Sequence, residues 1–93
     1  MKYLRTEYKI SPLSWHKSLV VTRYEVHKTL FGREVEKNHY VLDAIEHIGK
    51  HYCATRQEAL EVIDSDKESL RLRKEARDEQ WNWALSHFDE IVR

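Results

Sequence analysis

From Leu4 onward the apolar or β-favouring residues fall on even positions, Leu4, Thr6, Tyr8 and Ile10, while Arg5, Glu7 and Lys9 take the odd ones. A period of two predicts a half-buried strand with its even side chains inward. Ser11-Pro12-Leu13-Ser14 is expected to end it, because proline donates no ladder hydrogen bond. The alternation resumes after Leu19, with Val20, Thr22, Tyr24 and Val26 on one face and Arg23, Glu25 and His27 on the other. Phe31-Gly32-Arg33 then signals a reversal, since glycine takes a positive backbone angle without a side-chain clash. The second strand is therefore expected to fold back as a hairpin.

Periodicity does not decide residues 34–54. Read as a helix, Val35, Leu42, Ile45 and Ile48 fall on one side, and Gly49 stands just past its end. Read as strands, Tyr40-Val41-Leu42 and His51-Tyr52-Cys53 are short β segments joined near Gly49-Lys50. The strand reading is preferred here, because the second segment runs directly into Thr55-Arg56-Gln57-Glu58, a capping box that starts a helix. That helix is expected over about Arg56 to Ile63, with Leu60 and Ile63 inward. The run Asp64-Ser65-Asp66-Lys67-Glu68 has no apolar residue, and Ser65 with Glu68 makes a second capping box. A second helix is expected from Asp66 to near Val92, roughly 40 Å long at 1.5 Å per residue.

The last stretch carries the richest apolar pattern. Trp81, Ala84, Leu85, Phe88, Ile91 and Val92 recur at three- and four-residue spacing and form one stripe, expected to dock on the sheet. Leu72, Ala76 and Trp83 share another face, with Trp83 about 200° around the helix from Trp81. One core does not readily take both tryptophans. The face of Leu72, Ala76 and Trp83 is the expected interface with a second chain, identical or foreign, because tryptophan concentrates at the energetic centre of interfaces. The competing reading is a helix wedged between two elements, or one partly exposed tryptophan.

The pattern amounts to an α+β fold, an N-terminal antiparallel sheet of three or four strands followed by two helices, the C-terminal one long. Ninety-three residues fit a single domain spanning 1–93. The single cysteine, Cys53, forms no intramolecular disulfide, which favours a reducing, cytoplasmic setting. Met1–Ile10 lacks the continuous apolar stretch of a signal peptide, and no segment approaches a membrane span. With Met1 at its start, the chain reads as a complete small gene product.

Net charge is zero, from 16 basic and 16 acidic residues, so the electrostatic signature of nucleic-acid or membrane binding is missing. The two parts of the chain nevertheless differ. Residues 1–50 carry 9 Lys/Arg against 6 Asp/Glu, and residues 51–93 carry 7 against 10. Basic and aromatic residues interleave in the first part, and Arg5, Lys9 and Arg23 are the candidate contacts of a nucleic-acid-binding alternative. Glu7 and Glu25 interrupt the same faces, so binding at physiological salt is expected to be weak or nil.

Two glycines, Gly32 and Gly49, cannot build a phosphate-cradling loop of the P-loop or dinucleotide type. No serine sits in a nucleophile elbow, and Cys53 lies on an apolar stretch where a thiol is inert. The densest ligand-like cluster is His47, His51 and Cys53, but a structural zinc site draws on two closely spaced pairs and the second is missing. No metal and no cofactor are expected. A small enzyme remains an alternative only if scattered His, Asp and Glu residues converge on folding. The function expected from the sequence is a non-enzymatic, protein-binding accessory or inhibitory protein. Its size and lack of catalytic motifs fit a phage or mobile-element product.

Overall fold

A computed structural model describes residues 1–87, the side chain of Trp15 excepted. Strand β1 (Lys2–Leu13) leads through a 3-10 turn at Ser14–His16 into β2 (Ser18–Lys28), and β2 into β3 (Glu34–Val41). A short helix α1 (Ala44–Ile48) and a 32-residue helix α2 (Arg56–His87) follow. The sheet is antiparallel, in the order β1-β2-β3. The expected α+β class and three strands are what the chain adopts.

Pro12 does not end β1. It pairs with Leu19 within the ladder, which continues to Leu13 opposite Ser18. β1 is an edge strand, where a residue without an N–H is tolerated. The expected hairpin forms between β2 and β3. Gly32 has φ 81°, and its N–H donates to the Thr29 carbonyl at 3.0 Å.

Residues 34–54 combine both readings. Glu34–Val41 is a strand, but Leu42 lies beyond it, and α1 occupies the middle. Asp43 caps α1 by accepting from Ile45 N, and Gly49 closes it at φ 70°. His51-Tyr52-Cys53 is not a strand. Only a single bridge forms there, with Leu19 N donating to the Cys53 carbonyl at 2.8 Å. The two strong local signals, an Asx cap and a C-terminal glycine, outweigh the short apolar run.

The capping box at Thr55 acts as expected on one side: Glu58 N donates to Thr55 Oγ1 at 3.2 Å. Glu58 Oε1 in turn accepts from Ala54 N, and its other oxygen lies 2.7 Å from Lys50 Nζ. The expected break at Asp64–Glu68 is absent, and α2 runs through it uninterrupted. Ser65 caps nothing there. It faces His47, while Glu68 pairs with Arg71 along the helix surface.

The first turns of α2 lie on the sheet and bury Ala59, Val62, Ile63 and Asp66. Val21, Leu42, Ala44 and Cys53 complete this core, flanked by Tyr8, Ile10, Leu19, Ile48 and Leu60. On β2 the helix-facing side chains are thus Leu19, Val21 and Arg23, not the even set that alternation favoured. Tyr24 and Val26 are buried on the other face, which α2 does not cover. There Tyr24 stacks on His39, donates to Glu7 Oε2 and lies beneath the Lys9 ammonium. A bulge opposite Tyr24 inserts Asn38 at φ 56°, and ordinary strand alternation beyond it places His39 and Tyr40 on opposite faces; Arg23 lies 5.2 Å from the Tyr40 ring centre.

Beyond Leu70 the helix leaves the sheet, and residues 71–83 are all exposed. The radius of gyration, 18.0 Å, is well above the 12 Å or so of a compact chain this long. Trp81 is 65% exposed, Leu85 53% and Trp83 52%. The expectation that Trp81 and Leu85 dock on the sheet is therefore wrong: with no break at residue 64, α2 extends straight past the sheet instead of turning back across it. Phe88, Ile91 and Val92, also assigned to that stripe, lie outside the described residues.

Candidate functional site

Two places gather chemistry-bearing or apolar side chains, a polar cluster beneath α2 and the projecting half of α2 itself. The cluster centres on Asp66, 3% exposed on the inner face of the helix. Arg23 Nη1 from the central strand reaches both its oxygens, at 2.7 and 2.9 Å. Tyr8 from the edge strand donates its hydroxyl to Oδ2 at 2.7 Å. His47 from α1 places Nδ1 2.9 Å from Ser65 Oγ and Nε2 3.7 Å from Asp66 Oδ1. Three elements thus converge on one carboxylate carried by a fourth, α2.

The set contains serine, histidine and aspartate, but not in the order acyl transfer needs. A catalytic aspartate orients a histidine whose other nitrogen activates an exposed serine. Here Asp66 is occupied by Arg23 and Tyr8, and Ser65 is the helix neighbour of Asp66, packed against His47. The arrangement satisfies a buried charge and ties α2 to the sheet.

Burial and the hydrogen bond to Asp66 raise the Tyr8 pKa well above its ordinary value. The hydroxyl keeps its proton in the folded chain at pH values where the unfolded chain would release it. Stability from Tyr8 is then complete below about pH 10 and is lost as pH rises beyond it. The urea midpoint is expected to fall above that pH in the native chain, and less in Tyr8→Phe. Parallel losses in both would contradict a role for the Tyr8–Asp66 bond.

The candidate nucleic-acid contacts do not share a face. Arg5 is held by Glu7 at 2.6 Å and Glu34 at 2.9 Å. Lys9 lies over Tyr24 on the face away from α2, and Arg23 lies beneath α2. The weak metal candidates also separate. Cys53 is core at 3% exposure, His51 is exposed, and His47 joins the Asp66 cluster. Among the described residues no three His, Cys, Asp or Glu side chains are placed to hold a metal. Burial pushes the Cys53 thiol up, away from the thiolate a nucleophile needs.

Leu72, Ala76 and Trp83, the candidate interface, all lie on the projecting half of α2 and are exposed. Trp83 stacks on His87, ring centres 4.7 Å apart and 15° from parallel, and His87 Nδ1 is 2.9 Å from the Trp83 carbonyl oxygen. About 200° around the helix from Trp83, Trp81 borders a shallow groove lined by Arg77, Gln80 and Ala84 and bounded by Ala76 toward the Trp83 face. Sequence reasoning missed this second exposed face because it assigned Trp81 to the core. Asp66 was missed as a buried group, since nothing local marks it apart from its acidic neighbours. Among the described residues no helix is long and apolar enough to cross a membrane. The chain matches no known protein-family model and shows no significant similarity to a curated protein or a solved structure.

Proposed function

We propose that this chain is a non-enzymatic accessory protein that works by binding another protein chain through the projecting half of α2. One observation carries the reading: from Arg71 to Trp83 every helix residue is exposed, yet the segment presents Leu72, Trp81 and Trp83, with exposed Leu85 just beyond. Two half-exposed tryptophans within three residues are the composition of an interface centre, not of a solvated helix. The charged groups on the same segment fit the polar rim of such a contact; Arg71, for example, is paired with Glu68 and Glu75. The sheet and the first turns of α2 then serve as the base that holds the arm.

The test is site-specific photocrosslinking in the native host. A photoreactive residue at Gln80 is expected to give protein adducts that one at Lys37, on β3, does not. Adducts at Gln80 to nucleic acid alone, or none to any protein from any position on the arm, would overturn the reading.

A further inference from the structure

The buried stripe of α2 does not stop where the sheet stops. Ala59, Val62, Ile63 and Asp66 face the core, and at 100° per residue Leu70, Arg73, Arg77, Gln80, Trp81 and Ala84 continue the same face within about 100° of arc. The face that packs inside the chain thus extends along the arm with nothing against it among residues 1–87. It carries both a projection and its receptacle: Trp81 stands beside the groove of Ala76, Arg77, Gln80 and Ala84. A two-fold contact requires this self-complementarity, because the same patch must serve both partners.

Resting on the protein-binding reading above, we infer that the arm's occupant is a second copy of this chain, its α2 packed antiparallel along the arm from Arg71 to His87 with Trp81 of each copy against Arg77 of the other. Charge selects the direction. A parallel pair would set Arg73 against Arg73 and Arg77 against Arg77, whereas an antiparallel pair centred near Glu79 lays each Arg77 guanidinium on the opposing indole. It also sends the two sheets to opposite ends of the pair, so they do not collide. Trp83, on the far side of the helix and stacked on His87, stays outside the contact.

Sedimentation equilibrium over a wide concentration range is expected to show a monomer–dimer equilibrium. Trp81→Ala should weaken it about thirtyfold, as for an interface hot spot, while Trp83→Ala leaves it within a fewfold of the native value. Trp81 is 65% exposed within the chain, so circular dichroism should show both variants folded. Spin labels fix the direction, with Cys53 buried and unlabelled. Labels at Asp78→Cys are expected close together in the dimer, and labels at Arg71→Cys about 25 Å apart. Short distances at both positions would mean parallel pairing and overturn the inference. So would a monomer at every concentration, or a dimer broken by Trp83→Ala and not by Trp81→Ala. A monomer whose Gln80 photoprobe still captures a foreign protein removes the dimer alone; no protein adduct of any kind removes the parent reading with it.

Discussion

Asp66→Ala is expected to cost about 3–5 kcal/mol, the penalty for leaving a buried ion pair with one partner. Within a total stability of about 5–15 kcal/mol, that is enough to bring the chain close to unfolding. The cost has several sources. Arg23, whose side chain is 21% exposed, would lose the carboxylate that holds it beneath α2, and the Tyr8 hydroxyl would lose its acceptor. His47 would lose the carboxylate nearest its Nε2. Urea denaturation of the native chain, Asp66→Ala, Arg23→Met and the pair Arg23→Met/Asp66→Leu would separate these contributions. The double variant is expected to recover most of the loss, because an apolar pair of similar size needs no partner. A single-variant loss below about 1 kcal/mol would show that the cluster does not hold α2 to the sheet.

Asp64→Pro is the second large effect, expected at about 3 kcal/mol or more. Asp64 is exposed, so no packing is lost; the cost is the interrupted helix. Two helices meeting at Asp64–Glu68 would tolerate proline there, just ahead of the second helix's cap. One continuous α2 does not. Asp64→Ala, which keeps the helix, should fall within about 0.5 kcal/mol of the native chain. Proline tolerated as well as alanine would restore the two-helix arrangement.

These variants bear on the positions where sequence and structure part. The β2–β3 hairpin and the start of α2 were legible because each is set by residues within a few positions of one another; the helix that Gly49 ends was weighed and set aside for strands, although its cap and stop are equally local. The inner face of β2 was not. Alternation ranks side chains by polarity and so turned Arg23 outward, whereas its partner Asp66 lies 43 residues away on another element. The same pair explains the false helix break: five polar residues in a row read as exposed loop only if Asp66 has no buried cation to meet. Pro12 misled in a related way, since its consequence depends on whether β1 lies at the sheet edge or in its middle. For the arm, the stripe of Trp81, Ala84 and Leu85 was correctly periodic. A stripe shows that a face is apolar, not which surface it meets.

The continuity of α2 also sets the kinetics and cost of using its far half. An isolated helix of some 17 residues, the length from Arg71 to His87, is marginal in water because its first turn must order several residues for one hydrogen bond. The arm never meets that barrier. The turns from Arg56 to Leu70, fixed by the core and the Asp66 cluster, are a standing nucleus from which each later residue adds one bond for one residue ordered. Amide exchange should accordingly grade along a single rod, from whole-chain protection near Val62 to faster local opening along the exposed turns around Trp81. A partner closing on the arm meets a helix already propagating, so little of its binding energy is spent on folding it.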